Sequence, residues 1–166
     1  VFCDLSSPKE GKAFSVYDDL KQRLIDAGVP AQEIAFVHDA DTDAQKATLF
    51  KAVRECRVRV LLGSTAKMGI GTNVQTRLAA LHHLDAPWRP CDVEQREGRI
   101  LRQGNECEDV EIFRYVTEGS FDSYMWQALE TKARFIAQVM SGDKGLRSIE
   151  DVELAALSYA EVKALA

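Results

Sequence analysis

Residues 56–84 contain no aspartate and no glutamate, in a chain that carries 26 acidic residues and a net charge of -5. Four basic residues stand in that window: Arg57, Arg59, Lys67 and Arg77. Such a gap in negative charge reads either as a buried strand with its loop or as the seat of an anion. Other absences narrow the field. No Gly-x-x-x-x-Gly-Lys-Ser/Thr motif occurs. "GSTAKMGI" has no Gly-Lys pair, and "EGKAF" places Ala13 where a magnesium-binding hydroxyl must stand. The chain therefore lacks the phosphate loop needed to hydrolyse ATP alone by that route. The four cysteines, Cys3, Cys56, Cys91 and Cys107, form no CxxC pair, which excludes a zinc ribbon. Reduced thiols are the default reading, and they point to the cytoplasm. The three histidines include the pair His82-His83, but no carboxylate lies at ligand spacing, so no metal site is expected. No run of about 18 apolar residues exists to span a membrane, and no signal peptide is present. The chain starts without Met, and "VFCDL" already reads as a strand, so an excised piece of something longer is expected.

What is present suffices for a core. The chain has 166 residues, 46% apolar and 28% charged with mixed signs. That fits one ordinary domain with a small appendage, not a disordered segment.

Short apolar runs alternate with amphipathic stretches. "VFCDL" (1–5), "IAFV" (34–37), "VRVLLG" (58–63) and "VEIFRYV" (110–116) read as strands, and "LAALHHLD" (78–85) as a strand or a short helix running into one. Phe14, Tyr17, Leu20 and Leu24 recur at helical spacing before Gly28, the expected C-cap. A second helix follows the capping residues Asp41, Thr42 and Asp43. Residues 91–102 after Pro90 and residues 120–140 read as two more. Strand–helix alternation implies an α/β fold, a parallel sheet flanked by helices on both faces. Ligands then sit at the carboxyl ends of the strands. A lobe over residues 1–117 and a helical extension over 118–166 are expected. In the extension, Ser148-x-x-Asp151 and Ser158-x-x-Glu161 resemble capping boxes of two further short helices.

Two segments hold chemistry. "GSTAKMGIGTNVQ" (63–75) lies inside the acid-free window, with three glycines, hydroxyls and Lys67. Glycines let backbone N–H groups approach a phosphate. A tight strand-to-helix loop is the plainer explanation. "EQREGRILRQGN" (94–105) carries Arg96, Arg99 and Arg102. If helical, it sets Gln95, Arg99 and Arg102 on one face. Arginine suits a transferring phosphoryl group, because its planar fork matches phosphate oxygens and stays charged. Pairing with Glu94, Glu97, Glu106 or Glu108 on a solvated surface is the alternative. It leaves Gly98 unexplained, and glycine there suits a close approach.

Trp88 could stack on a base, though packing between Pro87 and Pro90 is the expected role. Tyr124 and Trp126 read as anchors of the last helix.

In order, "VFCDL", "HDADTDAQKATLFKAV", "VRVLLGSTAKMGIGTNVQ", "LDAPWRP", "EQREGRILRQGN" and "VEIFRYVTEGSFDSYMWQALETK" resemble the second RecA-like lobe of superfamily 2 helicases. Within these, the chain is similar to the Swi/Snf-like translocases. It looks most like the helicase portion of the methylase–helicase proteins of bacterial phages and conjugative elements.

The resemblance implies a RecA-like lobe without a P-loop. Arg99 and Arg102 would be arginine fingers, with Gln95 beside them as a catalytic residue. Gly71, Asn73 and Gly98 would face the nucleotide. Ser64, Thr65, Lys67 and Gly69 would contact the DNA backbone. Asp85, Pro87 and Trp88 match the segment before the arginines. Gly119, Ser120 and Asp122 match the turn into a bracing helix. ATP and Mg2+ would be held mainly by an upstream RecA-like lobe of the same chain, with neither bound tightly by this piece. DNA is the implied partner, a methyltransferase a further one, and the bacterial cytoplasm the setting. Asn105 departs from the family pattern, which commonly has Gln there. Two other readings stay open: a non-catalytic RecA-like module that binds nucleic acid or protein, and a stand-alone nucleotide-binding α/β enzyme.

Overall fold

The computed structural model describes residues 1–5, 14–68 and 73–141. Its centre is a set of parallel strands. β1 (Ile34–Phe36) pairs with β2 (Val60–Leu62), and β3 (Ala80–His83) pairs with β4 (Glu111–Arg114), both in parallel. The N-terminal residues join the two pairs. Phe2 bridges Gly63 on one side and His83 on the other, also in parallel. The strand order is therefore β1, β2, the N-terminal stretch, β3, β4. Each strand is entered through a crossover, which demands the alternation of helices seen in the sequence.

The helices start and stop where local chemistry dictates. Ser15 caps α1 (Val16–Asp26) by accepting the Asp18 N–H. Gly28 follows it at φ +96, a conformation that suits glycine. Thr42 and Gln45 form a reciprocal capping box on α2 (Asp43–Arg54). α3 (Thr65–Met68) is a single turn, and a 3-10 turn over Gln75–Arg77 leads into β3. α5 (Asp122–Ser141) is the longest helix among the described residues and packs against α4 (Pro90–Glu97).

Two apolar clusters sit on opposite faces of the strands. Tyr17, Leu20 and Leu24 of α1 cover Cys3, Ile34, Phe36 and Leu62. Phe50 and Val53 of α2 pack with Phe2, Leu81, Met68 and Ile100 on the other side. Tyr17 is fully buried and donates its hydroxyl to the Cys3 carbonyl at 2.5 Å, so its polar end costs little.

Two sequence expectations need correction. The helix expected over 91–102 ends at Glu97, inside α4. After it, the Arg99 N–H bonds the Arg96 carbonyl and the Ile100 N–H the Glu97 carbonyl, a tighter three-residue spacing. That turn drives Ile100 into the core, where it is 1% exposed. Burying one isoleucine contributes roughly 2–3 kcal/mol, enough to override continued helix. Gln95, Arg99 and Arg102 thus do not share a helical face. Trp88 is the second correction: it is 69% exposed rather than packed between its prolines. Gly69 and Gly71, and the expected helices beyond Ser148 and Ser158, lie outside the described residues.

Candidate functional site

The carboxyl ends of the N-terminal strand, β2 and β3 meet the inner face of α4. Arg96 sits at that meeting point and is 1% exposed. A guanidinium offers five N–H donors, and here five contacts receive them. Nε donates to Thr65 Oγ1 at 2.8 Å. Nη1 donates to the Asp85 carbonyl at 2.9 Å and to His83 Nδ1 at 3.2 Å. Nη2 donates to Asp4 Oδ2 at 2.8 Å and to Asp85 Oδ1 at 3.1 Å. Burying a charge costs several kcal/mol unless it is paired and its donors are satisfied. Arg96 meets both conditions, and its partners come from three strand ends: Asp4 after the N-terminal stretch, Thr65 after β2, and His83 with Asp85 at the end of β3.

The partners are themselves tied together. Asp85 Oδ2 accepts the Asp4 N–H and, at 2.8 Å, the Leu5 N–H, which fixes the exit of the N-terminal strand. Asp4 accepts the Thr65 N–H at 2.7 Å and the Thr65 hydroxyl at 2.8 Å. Burial pushes the Asp4 carboxyl upward. The Thr65 amide and hydroxyl, with the Arg96 guanidinium, outweigh it and hold the group below its ordinary range. His83 is fully buried. Burial first, and then Arg96, push its imidazole down to about 4. It is therefore neutral at pH 7, accepting at Nδ1 and carrying its proton on Nε2. Nε2 lies 3.3 Å from Glu97 Oε1, near in distance but off the bonding direction. Glu97 takes its hydrogen bond from Arg114 instead, at 2.6 Å. Arg114 lies over the Trp126 ring, which stands perpendicular to His83 at 5.5 Å between centroids, so α5 rests on the same cluster.

The expected site residues fall into groups. Gly63 belongs to the strands: its N–H bonds the Val1 carbonyl, and its own carbonyl accepts the Cys3 N–H. A Cβ there would stand 2.7 Å from Met68 Cγ, so close packing explains this glycine. The Ser64 hydroxyl accepts the Lys67 N–H and Thr65 bonds Asp4 and Arg96, so both are internally engaged, while Lys67 is exposed. Asn73 gives its carbonyl to Arg54 Nη1 at 2.6 Å, which fastens the far end of the loop to α2. Gln95 and Arg102 are exposed. Arg99 is half-buried and, with Met68, Val74 and Leu78, lines a cavity of about 450 Å3. Burial first, then the charge of Arg102, pull the Arg99 guanidinium below its ordinary pKa. A Cβ on Gly98 would lie 2.9 Å from the Glu94 carbonyl oxygen, so the close approach is by the chain's own backbone.

Sequence reasoning did not find Arg96 or Asn105. Asn105 donates to the Leu78 and Ile100 carbonyls at 2.8 and 3.3 Å and accepts the Cys107 N–H. It closes the arginine segment back onto the approach to β3. Among the described residues no group of three His, Cys, Asp or Glu side chains could hold a metal ion, and no helix is long and apolar enough to cross a membrane.

No protein-family model matches the chain. The chain is 36% identical over 78 residues to the defense against restriction protein B of Escherichia phage P1, covering 47% of this chain and 4% of that protein. It is 31% identical over 131 residues to the DNA annealing helicase and endonuclease ZRANB3 of Mus musculus, covering 76% of this chain and 11% of that protein. It is 32% identical over 84 residues to the uncharacterized ATP-dependent helicase YqhH of Bacillus subtilis, covering 51% of this chain and 14% of that protein. The chain thus spans between 4% and 14% of these relatives' lengths. The crystal structure of the C-terminal part of the Fun30 ATPase domain superposes with a TM-score of 0.55 at 19% identity, over 68% of this chain and 35% of that one. With the ordered motifs and the parallel α/β lobe, these relationships make the chain a member of the Swi/Snf-like superfamily 2 helicases, corresponding to their RecA-like C-terminal lobe.

Proposed function

We propose that this lobe is half of an ATP-driven DNA motor, working against an upstream RecA-like lobe that holds ATP and Mg2+. One observation carries the reading. The loop from residue 63 and the segment from Arg96 to Arg102 meet at one edge, joined through the Thr65–Arg96 hydrogen bond. DNA-facing and phosphate-facing groups are adjacent there.

Arg99 and Arg102 supply the charge. Burial first, and then the charge of Arg102, lower the Arg99 pKa, and a bound anion favours the charged form of both side chains. In this role they reach the γ-phosphate across the cleft, with Gln95 beside them and Gly98 keeping the turn tight. Gly71 and Asn73 complete the nucleotide side of the loop. Lys67 tracks the DNA backbone from the same loop as Gly69, with Ser64 and Thr65 holding the loop start through their internal hydrogen bonds. Trp88, exposed at the same edge, is available to stack against a base. α5 is the brace, resting on the edge through Trp126 and Arg114. The phage relative favours a parent protein carried on a mobile element. An attached methyltransferase rests on the sequence resemblance alone.

The test is ATP turnover by a protein carrying this chain with its upstream lobe, with and without duplex DNA. The motor reading expects strong stimulation that weakens steeply with salt, because phosphate contacts release counterions. DNA binding without any change in turnover would favour the non-catalytic module instead.

A further inference from the structure

Arg96 lies too deep to touch a ligand, yet every donor it has is directed at the functional edge. Its helix leads directly into the arginine segment. Its Nε holds Thr65, the first residue of α3 and the start of the Lys67-bearing loop. Thr65 has no spare donor: its N–H and hydroxyl both go to Asp4, whose Oδ2 also accepts from Arg96. Arg96, Asp4 and Thr65 form a closed ring of three hydrogen-bonded contacts, each member on a different element. A closed ring between elements fixes their register more firmly than any one bond.

Resting on the motor reading above, we propose that Arg96 is the positioning residue of this lobe, locking Thr65 and its loop in register with the Arg99–Arg102 segment. The DNA-facing loop and the phosphate-facing arginines then move as one rigid edge. Displacing either displaces the other. The Thr65 hydroxyl is the joint, because it is acceptor to Arg96 and donor to Asp4 at once.

The ring makes a chemical demand that packing alone does not. Thr65→Val keeps the shape of the side chain and removes both hydroxyl contacts. Thr65→Ser keeps the hydroxyl and loses a methyl. A packing role favours Val, whereas the joint requires Ser. Arg96→Lys keeps the charge but cannot span Thr65, Asp4 and Asp85 together.

These three variants are made in the protein that carries both lobes. The ratio of DNA-stimulated to DNA-free ATP turnover is measured alongside hydrogen exchange over residues 63–68. Expected results are at least a tenfold fall in the stimulation ratio for Thr65→Val and Arg96→Lys. Thr65→Ser keeps the wild-type stimulation ratio. Exchange over 63–68 rises in the first two variants, while exchange over β1 does not change. Wild-type stimulation by Thr65→Val, or equal loss with and without DNA, overturns the proposal. Should the wild type show no DNA-stimulated turnover, the motor reading fails separately, and exchange decides the lock. Faster exchange over 63–68 in Thr65→Val but not Thr65→Ser then supports it, and equal exchange overturns it.

Discussion

Arg96 donates to two oxygens of Asp85, the backbone carbonyl at 2.9 Å and carboxylate Oδ1 at 3.1 Å. Asp85 is 3% exposed and its other oxygen holds the amides of Asp4 and Leu5. Arg96→Met would fit the space but leave this carboxylate buried without its cation. Breaking a buried pair from one side costs about 3–5 kcal/mol. Chemical denaturation at pH 7 is expected to show a loss of that size. A loss below about 1 kcal/mol would mean that the pair contributes little to holding the strand ends.

His83 gives stability a defined pH dependence. Its folded pKa lies near 4, below the ordinary 6.5, so the folded state disfavours the charged imidazole. The sign follows from linkage. The contribution is fully present above about pH 6.5 and is lost as pH falls towards 4, on the order of 3 kcal/mol. His83→Gln should flatten the stability profile in that window by about one proton relative to wild type. Unchanged slopes between the two proteins would contradict the burial argument. Below that window Asp4, held down in the fold, takes over the further loss.

Gly98 stands at φ -60, so alanine suffers no backbone strain there and would gain up to about 1 kcal/mol of helix propensity. Against this, its Cβ would meet the Glu94 carbonyl at 2.9 Å. Backbone does not yield cheaply, and overpacking typically costs about 1–3 kcal/mol. Gly98→Ala is therefore expected to lower stability slightly and to shift Arg99, reducing DNA-stimulated turnover more than ATP binding. A stabilised, fully active variant would show that the turn can widen freely.

Lys67 is the exposed cation of the loop start. Lys67→Ala is expected to weaken DNA binding similarly across sequences and to reduce the slope of log K against log salt by about 1. Thermal stability should stay unchanged, since the side chain is solvated. An unchanged salt slope would remove Lys67 from the DNA surface.

The strand–helix order was legible because it depends on local periodicity and on caps such as Ser15, Thr42 and Gly28. The buried arginine was not. The residues that neutralise Arg96 lie 92 and 11 positions away in Asp4 and Asp85, whereas four glutamates lie closer in sequence to the three arginines. Only the fold decides between them. A usable signal existed: Asp4 and Asp85 each stand just past a strand at the sheet edge, where an unpaired acid needs a cation. The overlong helix has a similar cause. Residues 98–102 keep helical composition, but Ile100 gains more from the core than from another helical turn. Trp88 was misjudged because flanking prolines suggested packing that the loop does not provide.

The most direct measurement is DNA-stimulated ATP turnover by the two-lobe protein, comparing wild type with Arg99→Ala and Arg102→Ala, with ATP affinity and folding checked separately. An arginine acting on the transferring phosphoryl group is worth roughly 10³–10⁵ in rate. The account expects a collapse of that order in at least one variant while ATP still binds and the lobe remains folded. Wild-type turnover in both variants would contradict it and leave these arginines with no part in phosphate chemistry.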